Sequence, residues 1–151
     1  MKNLIVPVIL ALLAGCTTVP LEPVGPKIDT TYTAKGQSSR ARFLVLHYTV
    51  ADTPASIKIL TEQQVSAHYL LTDGPQPIIY RLVDENRASW HAGNSSWKNY
   101  TQLNQSSIGI EIVNAGWTAT PGGGRVFYPF PQAQVDALVT LVKDIVQRHG
   151  I

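Results

Sequence analysis

Phe43-Leu44-Val45-Leu46, followed at once by His47-Tyr48-Thr49, decides the fold. Four β-prone apolar residues without a polar interruption form the pattern of a strand covered on both faces. Beyond it, Thr53 stands before Pro54, an N-cap followed by the favoured first helical residue, and Ile57 and Leu60 give a short helix its apolar side. A second strand is predicted over residues 67–72 and a third over 78–83, joined as a hairpin by the turn Asp73-Gly74-Pro75. Residues 84–107 read as a long polar loop holding Trp90, Trp97 and Tyr100, and loops of this length in compact domains are often functional. Residues 108–113 (IGIEIV) form another strand, and Pro121-Gly122-Gly123-Gly124 a flexible loop. Val135, Leu138, Val139, Val142, Ile145 and Val146 then recur at helical spacing, with Pro131 near the start and Gly150 just past the end. Strands mixed with helices, one hairpin among them, give an α/β (α+β) class: a mixed β-sheet flanked by helices, without internal repeats.

The whole chain has 151 residues, room for one domain of ordinary size. Twelve basic residues against ten acidic ones leave a net charge of +2, which excludes a nucleic-acid-binding basic domain and an acidic solvating tail. At 44% hydrophobic and 15% charged residues the chain is too apolar to be mainly disordered. Its single cysteine excludes an internal disulfide.

That cysteine stands at a telling place. Lys2 precedes an apolar run, LIVPVILALL at residues 4–13, too short to span a bilayer but suited to a secretory signal. Leu13-Ala14-Gly15-Cys16 resembles the bacterial lipobox, in which the cysteine is acylated and becomes the mature N-terminus. Residues 1–15 are therefore expected to be a lipoprotein signal peptide, 16–39 a lipidated tether rich in proline and polar residues, and 40–151 the folded domain. Thr17 after Cys16, where an Asp would favour the inner membrane, points to the outer membrane of a bacterial envelope, facing the periplasm.

Three places carry candidate chemistry. His47 closes an apolar strand, where imidazole serves as metal ligand or general base, or else as a core histidine bonded to a backbone carbonyl. Glu111 shares one strand face with Gly109 and Val113, opposite Ile108, Ile110 and Ile112. Glutamate is depleted in strands, and Gly109 leaves open space beside it. In a partly dry pocket its pKa would rise and fit it for general acid/base work; a solvated face or a structural ion pair is the alternative. Trp90-His91-Ala92-Gly93 puts an indole and an imidazole on one loop, suited to sugar faces and peptides, or to simple anchoring of the loop. His68 reads as structural or supporting, and His149, at the end of the last helix, as a group favoured there by the helix dipole.

In order, Leu46-His47-Tyr48-Thr49, Val65-Ser66-Ala67-His68-Tyr69, Ala88-Ser89-Trp90-His91-Ala92-Gly93 and Ser107-Ile108-Gly109-Ile110-Glu111-Ile112 resemble the zinc-dependent N-acetylmuramoyl-L-alanine amidases of the amidase-2 type, kin to peptidoglycan recognition proteins. With the lipobox, the lipoprotein amidases are the best match. The resemblance implies a mixed sheet flanked by helices, one Zn2+ ion in a surface groove, and a monomer acting on peptidoglycan or muropeptides. It also implies cleavage of the amide between N-acetylmuramic acid and L-alanine. By similarity His47 is the first zinc ligand and Glu111 the catalytic acid/base, while Tyr48, Thr49, Trp90, His91 and Ala92 line the substrate groove. Zinc would lower the pKa of its bound water, and Glu111 would take the water's proton. In the family a later strand ending Gly-His supplies the second zinc histidine, and a lysine and an aspartate follow. This chain stops at His149-Gly150-Ile151, so the expectation is the N-terminal part of such a domain, lacking the C-terminal strand and loop. Two other functions stand beside the amidase: a muropeptide-binding lipoprotein without catalysis, and an inactive truncated product.

Overall fold

The computed structural model describes residues 25–151; the expected signal peptide over 1–15 and Cys16 lie outside the described residues. Among those residues no helix is long and apolar enough to cross a membrane. The chain divides into two compact units, Met1–Lys35 and Gly36–Ile151. In the described part of the first, residues 25–35 hold neither helix nor strand, and the Asp29 carboxylate accepts from the backbone and hydroxyl of Thr31.

The second unit runs β1 (Phe43–Tyr48), α1 (Thr53–Glu62), β2 (Tyr69–Leu71), β3 (Ile79–Arg81), β4 (Ser96–Trp97), β5 (Tyr100–Thr101), a 3-10 turn (Leu103–Gln105), β6 (Ser107–Ile112), β7 (Trp117–Ala119), β8 (Arg125–Phe127) and α2 (Gln132–His149). Four strands form the main sheet in the order β1-β6-β2-β3. β1 and β2 run parallel to β6, and β3 returns antiparallel to β2, so the sheet is mixed and the expected hairpin is present.

Side-chain alternation along β6 sorts the core into two clusters. Ile108, Ile110 and Ile112 join Tyr69 and Leu71 under Leu141 and Ile145 of α2. On the other face Leu70 and Val113 pack with Ala67 and with Leu60 of α1. Each fully buried isoleucine or leucine contributes on the order of 1.5–3 kcal/mol relative to exposure, so both helices are held by the sheet they cover. Of the apolar positions spaced along α2, Leu138, Val142 and Ile145 make this contact, with Leu141, while Val139 and Val146 stay exposed; Gly150, at φ +67°, ends the helix as a left-handed cap. Gln134 anchors the other end of α2, its buried amide donating to the Val113 carbonyl at 2.8 Å.

Several local expectations need correction. α2 packs on Leu44, but Leu46 and Tyr48 remain 48% and 46% exposed, so among the described residues β1 is an edge strand and not one covered on both faces. A run of β-prone apolar residues reports fit to a pleated surface as much as burial. The strands buried along all or nearly all of their length are β2 and β6. The cap of α1 is Asp52, whose carboxylate accepts from the Ala55 amide at 2.9 Å; Thr53 is already helical. The expected loop over 84–107 contains the β4–β5 hairpin, docked by an edge-on contact of Tyr100 with Phe43 at 4.9 Å. The Gly122-Gly123-Gly124 stretch is the turn of a second hairpin, β7–β8, where Arg125 lies over the Trp117 ring.

An ionic cluster closes the far end of α2. Glu85 accepts from Tyr69 at 2.6 Å, from both Arg148 guanidinium nitrogens and from His149 at 2.8 Å. The Arg148 pairing, reinforced by Tyr69 and His149, holds its carboxyl well below the usual range despite burial. Nearby, the Arg40 guanidinium donates to the carbonyls of Glu85, Arg87, Gln105 and Ser107 and so ties two loops to the start of β6.

Candidate active site

His47 and Glu111 are direct partners in the parallel β1–β6 pairing. Partners in register share a sheet face, here the face covered in part by α1, which leaves the site at the carboxyl-terminal ends of two strands. Burial raises the Glu111 pKa above the ordinary carboxylate value. Among the described residues no hydrogen bond or ion pair reaches its carboxylate, so it is free to take or give a proton. It borders a cavity of about 180 Å³ lined also by Thr49, Ile59, Leu60, Val65 and Trp90. Trp90 is 55% exposed, an apolar plate at the rim.

His91 stands between the two strands' side chains. Its Nδ1 lies 3.1 Å from His47 Nε2, and its Nε2 lies 3.0 Å from Ser107 Oγ, which in turn donates to the Leu103 carbonyl. Burial, with the positive charges of His47, His68 and Arg40 adding, pushes the His91 pKa down to about 4. Burial lowers that of His47 as well. The ring rests directly on Gly109, where a Cβ would fall 2.3 Å from His91 Cγ. The space that Gly109 leaves beside Glu111 is therefore filled by an imidazole and not open, as the sequence suggested.

The loop carrying Trp90 and His91 is fixed from several sides. His68 is fully buried; its Nδ1 accepts from the Gly109 amide at 3.0 Å and lies 2.7 Å from Ser89 Oγ, and its Nε2 lies 3.0 Å from the Arg87 carbonyl and 2.8 Å from the Arg40 guanidinium. The Asn104 side-chain oxygen accepts from the amides of His91 and Ala92 at 3.1 and 2.8 Å. Ser66 pairs with the Trp90 backbone in both directions.

Of the residues singled out in the sequence, Glu111, Thr49, Trp90 and His91 meet at one cavity, with His47 beside Glu111 in register. Tyr48 faces away from it and lines a separate cleft with Asn114, Gly116, Phe127, Tyr128 and Phe130. Ala92 is tied down through its backbone. Both ring nitrogens of His91 are engaged within the protein, so its side chain is committed to His47 and Ser107. Ser107 and Asn104 escaped notice in the sequence. The one available signal was Gly109, a glycine inside a strand, which marks close approach by another group.

A catalytic zinc ion takes three protein ligands and a water. Among the described residues no group of three or more His, Cys, Asp or Glu side chains could hold a metal. His91, the nearest imidazole to His47, spends its Nδ1 on that residue. The residues present do not by themselves fit a zinc ion.

The mixed sheet, its two covering helices and a carboxylate set beside a strand-end histidine define a member of the N-acetylmuramoyl-L-alanine amidase family, whose sequence profile matches residues 37–151; the chain belongs to it. Among its relatives is the N-acetylmuramoyl-L-alanine amidase AmiD of Escherichia coli K12, 43% identical over 147 residues that cover 93% of this chain and 53% of AmiD. The chain thus spans about half the length of that curated relative. The E. coli AmiD structure in complex with the substrate anhydro-N-acetylmuramic acid-L-Ala-D-gamma-Glu-L-Lys matches with a TM-score of 0.73, over 86% of this chain and 52% of AmiD. Pseudomonas aeruginosa AmpDh3 in complex with anhydromuramic pentapeptide is 37% identical with a TM-score of 0.70, over 84% of this chain and 53% of its own.

Proposed function

We propose that this chain carries the acid/base half of a peptidoglycan amidase site, which hydrolyses the amide between N-acetylmuramic acid and the L-alanine of the stem peptide. The observation that carries it is the register of β1 on β6, which sets His47 beside a half-buried Glu111, unpaired among the described residues, at the rim of an apolar cavity. The relatives solved with anhydromuramic peptides support the substrate class. Glu111, its pKa raised by burial, takes the proton of the attacking water and passes it to the departing alanine amine. Trp90 offers a flat apolar face to the sugar or peptide, and Thr49 a hydroxyl at the same cavity. Tyr48 and Ala92 would meet only more distant parts of the substrate. His47 is the one zinc ligand assigned within this stretch; the described residues do not supply the others.

The location follows the same reading: an outer-membrane lipoprotein of a bacterial envelope, acylated at Cys16, tethered through residues 16–39 and acting as a monomer on the periplasmic side. Signal, tether and domain are thus taken at 1–15, 16–39 and 40–151.

A second reading stands beside it: a domain that holds muropeptides, without cutting them, at the cavity lined by Thr49, Trp90 and Glu111. Incubation of the chain with anhydro-N-acetylmuramyl-L-alanyl peptide, followed by mass spectrometry, separates the two. Release of a peptide with a free L-alanine amino terminus establishes the amidase. Saturable binding in titration calorimetry without release establishes the binding domain, and absence of both overturns the two together.

A further inference from the structure

We propose that His91 is a positioning residue for His47: seated in the cradle that Gly109 leaves in β6 and polarised through Ser107, it fixes the His47 ring as the Nε2–H tautomer and leaves Nδ1 as that ring's one basic nitrogen. The direction of the chain follows from donors and acceptors alone. The Ser107 hydroxyl has one proton, and it goes to the Leu103 carbonyl, which can only accept. Ser107 Oγ must then accept from His91, so His91 carries its proton on Nε2. That makes His91 Nδ1 an acceptor, and the 3.1 Å contact to it can be filled only by a proton on His47 Nε2. A backbone carbonyl fixed by the 3-10 turn ahead of β6 thereby sets which nitrogen of a histidine on β1 holds a lone pair. Buried imidazoles oriented this way by a second hydrogen bond are how proteins choose the reactive nitrogen.

Gly109 is part of the device. Any Cβ there would overlap Cγ, Cδ2 and Nδ1 of His91, and Nδ1 is the atom that accepts from His47. The Asn104 side chain, which holds the His91 and Ala92 amides, fixes the ring from the backbone side. The proposal rests on the reading of His47 as the active-site histidine, but its test needs neither substrate nor turnover.

The test is nitrogen-15 NMR of the ring nitrogens in the full 151-residue chain, with chelator present, above the pH at which either ring titrates. Free imidazole already leans toward Nε2–H, so chemical shifts are read together with scalar coupling across the His47 Nε2–H to His91 Nδ1 bond. Both rings are expected as Nε2–H, with that coupling present. Ser107→Ala removes the acceptor that orders the chain and is expected to raise the His47 Nδ1–H form roughly tenfold, as loss of one buried hydrogen-bond partner does. Ser107→Thr, which keeps the hydroxyl, is expected to restore the wild-type pattern. A His47 Nδ1–H signal in the wild type, absence of the coupling, or a Ser107→Ala spectrum matching the wild type overturns the proposal. Should Ser107→Ala fail to fold, the wild-type measurement alone decides. An inactive chain with the expected tautomers refutes the amidase reading only; an active chain with reversed tautomers refutes only the positioning role.

Discussion

Adding a single methyl group at Gly109 should cost stability only while His91 is present. A Cβ at this position lies 2.3 Å from His91 Cγ and 2.6 Å from its Cδ2 and Nδ1, closer than real Cβ atoms come to any neighbour. The ring cannot stay, and its withdrawal breaks the bonds to His47 and Ser107 at 3.1 and 3.0 Å. Overpacking of a filled site costs about 1–3 kcal/mol, and each buried hydrogen bond lost adds about 1 kcal/mol. Against this, alanine inside a strand is favoured over glycine by about 0.5–1 kcal/mol. Gly109→Ala is therefore expected to destabilise the chain by about 2–4 kcal/mol. In a His91→Ala background the obstacle is gone, and the same substitution should be neutral or stabilising by about 0.5 kcal/mol. Urea unfolding followed by tryptophan fluorescence, with midpoints compared at constant slope, gives all four corners of the cycle. A cost of Gly109→Ala that is equal in both backgrounds, within about 0.5 kcal/mol, would refute the packing of His91 on β6.

Three other outcomes follow from the geometry. Glu85→Gln should lower the thermal midpoint at neutral pH. Because the folded pKa of Glu85 is depressed below 4.5, the gap to wild type should be full above that pH and narrow on acidification. His91 should stay neutral in NMR titration down to about pH 4; since its folded pKa lies below the ordinary 6.5, the unfolded chain binds that proton first, and stability should fall as pH drops between those values. Asp52→Ala removes the cap of α1 and should cost about 1 kcal/mol in chemical denaturation, whereas Thr53→Ala, inside the helix, should cost little.

The sheet and both helices were legible because periodicity reports burial directly: Ile108, Ile110 and Ile112 on one face, and Leu138, Val142 and Ile145 at helical spacing, can only pack together. The edge position of β1 was not legible, since Leu44 and Leu46 are equally apolar while one is covered and the other exposed. Short hairpins such as β4–β5 and β7–β8 depend on two or three residues apiece, too few to set up a period. The site was half legible. Glu111 declared itself as a charge in an apolar strand, and its register with His47 follows from sheet pairing that no local pattern encodes. Ser107 and Asn104 are ordinary polar residues whose importance lies entirely in what the chain folds beside them. His91 stood out as an imidazole on an aromatic loop, but that both its nitrogens turn inward to His47 and Ser107 is set by tertiary packing that no local pattern encodes.

The acid/base role of Glu111 is tested most directly by Glu111→Gln, which keeps the shape of a half-buried side chain that makes no hydrogen bond of its own among the described residues. The measurement is kcat/KM on anhydro-N-acetylmuramyl-L-alanyl peptide, beside the melting temperature and the affinity for the same peptide. A loss of about 10²–10⁴-fold in kcat/KM, with melting and affinity unchanged, is the expected result for removal of a general acid/base. Retention of kcat/KM within a few-fold would contradict it.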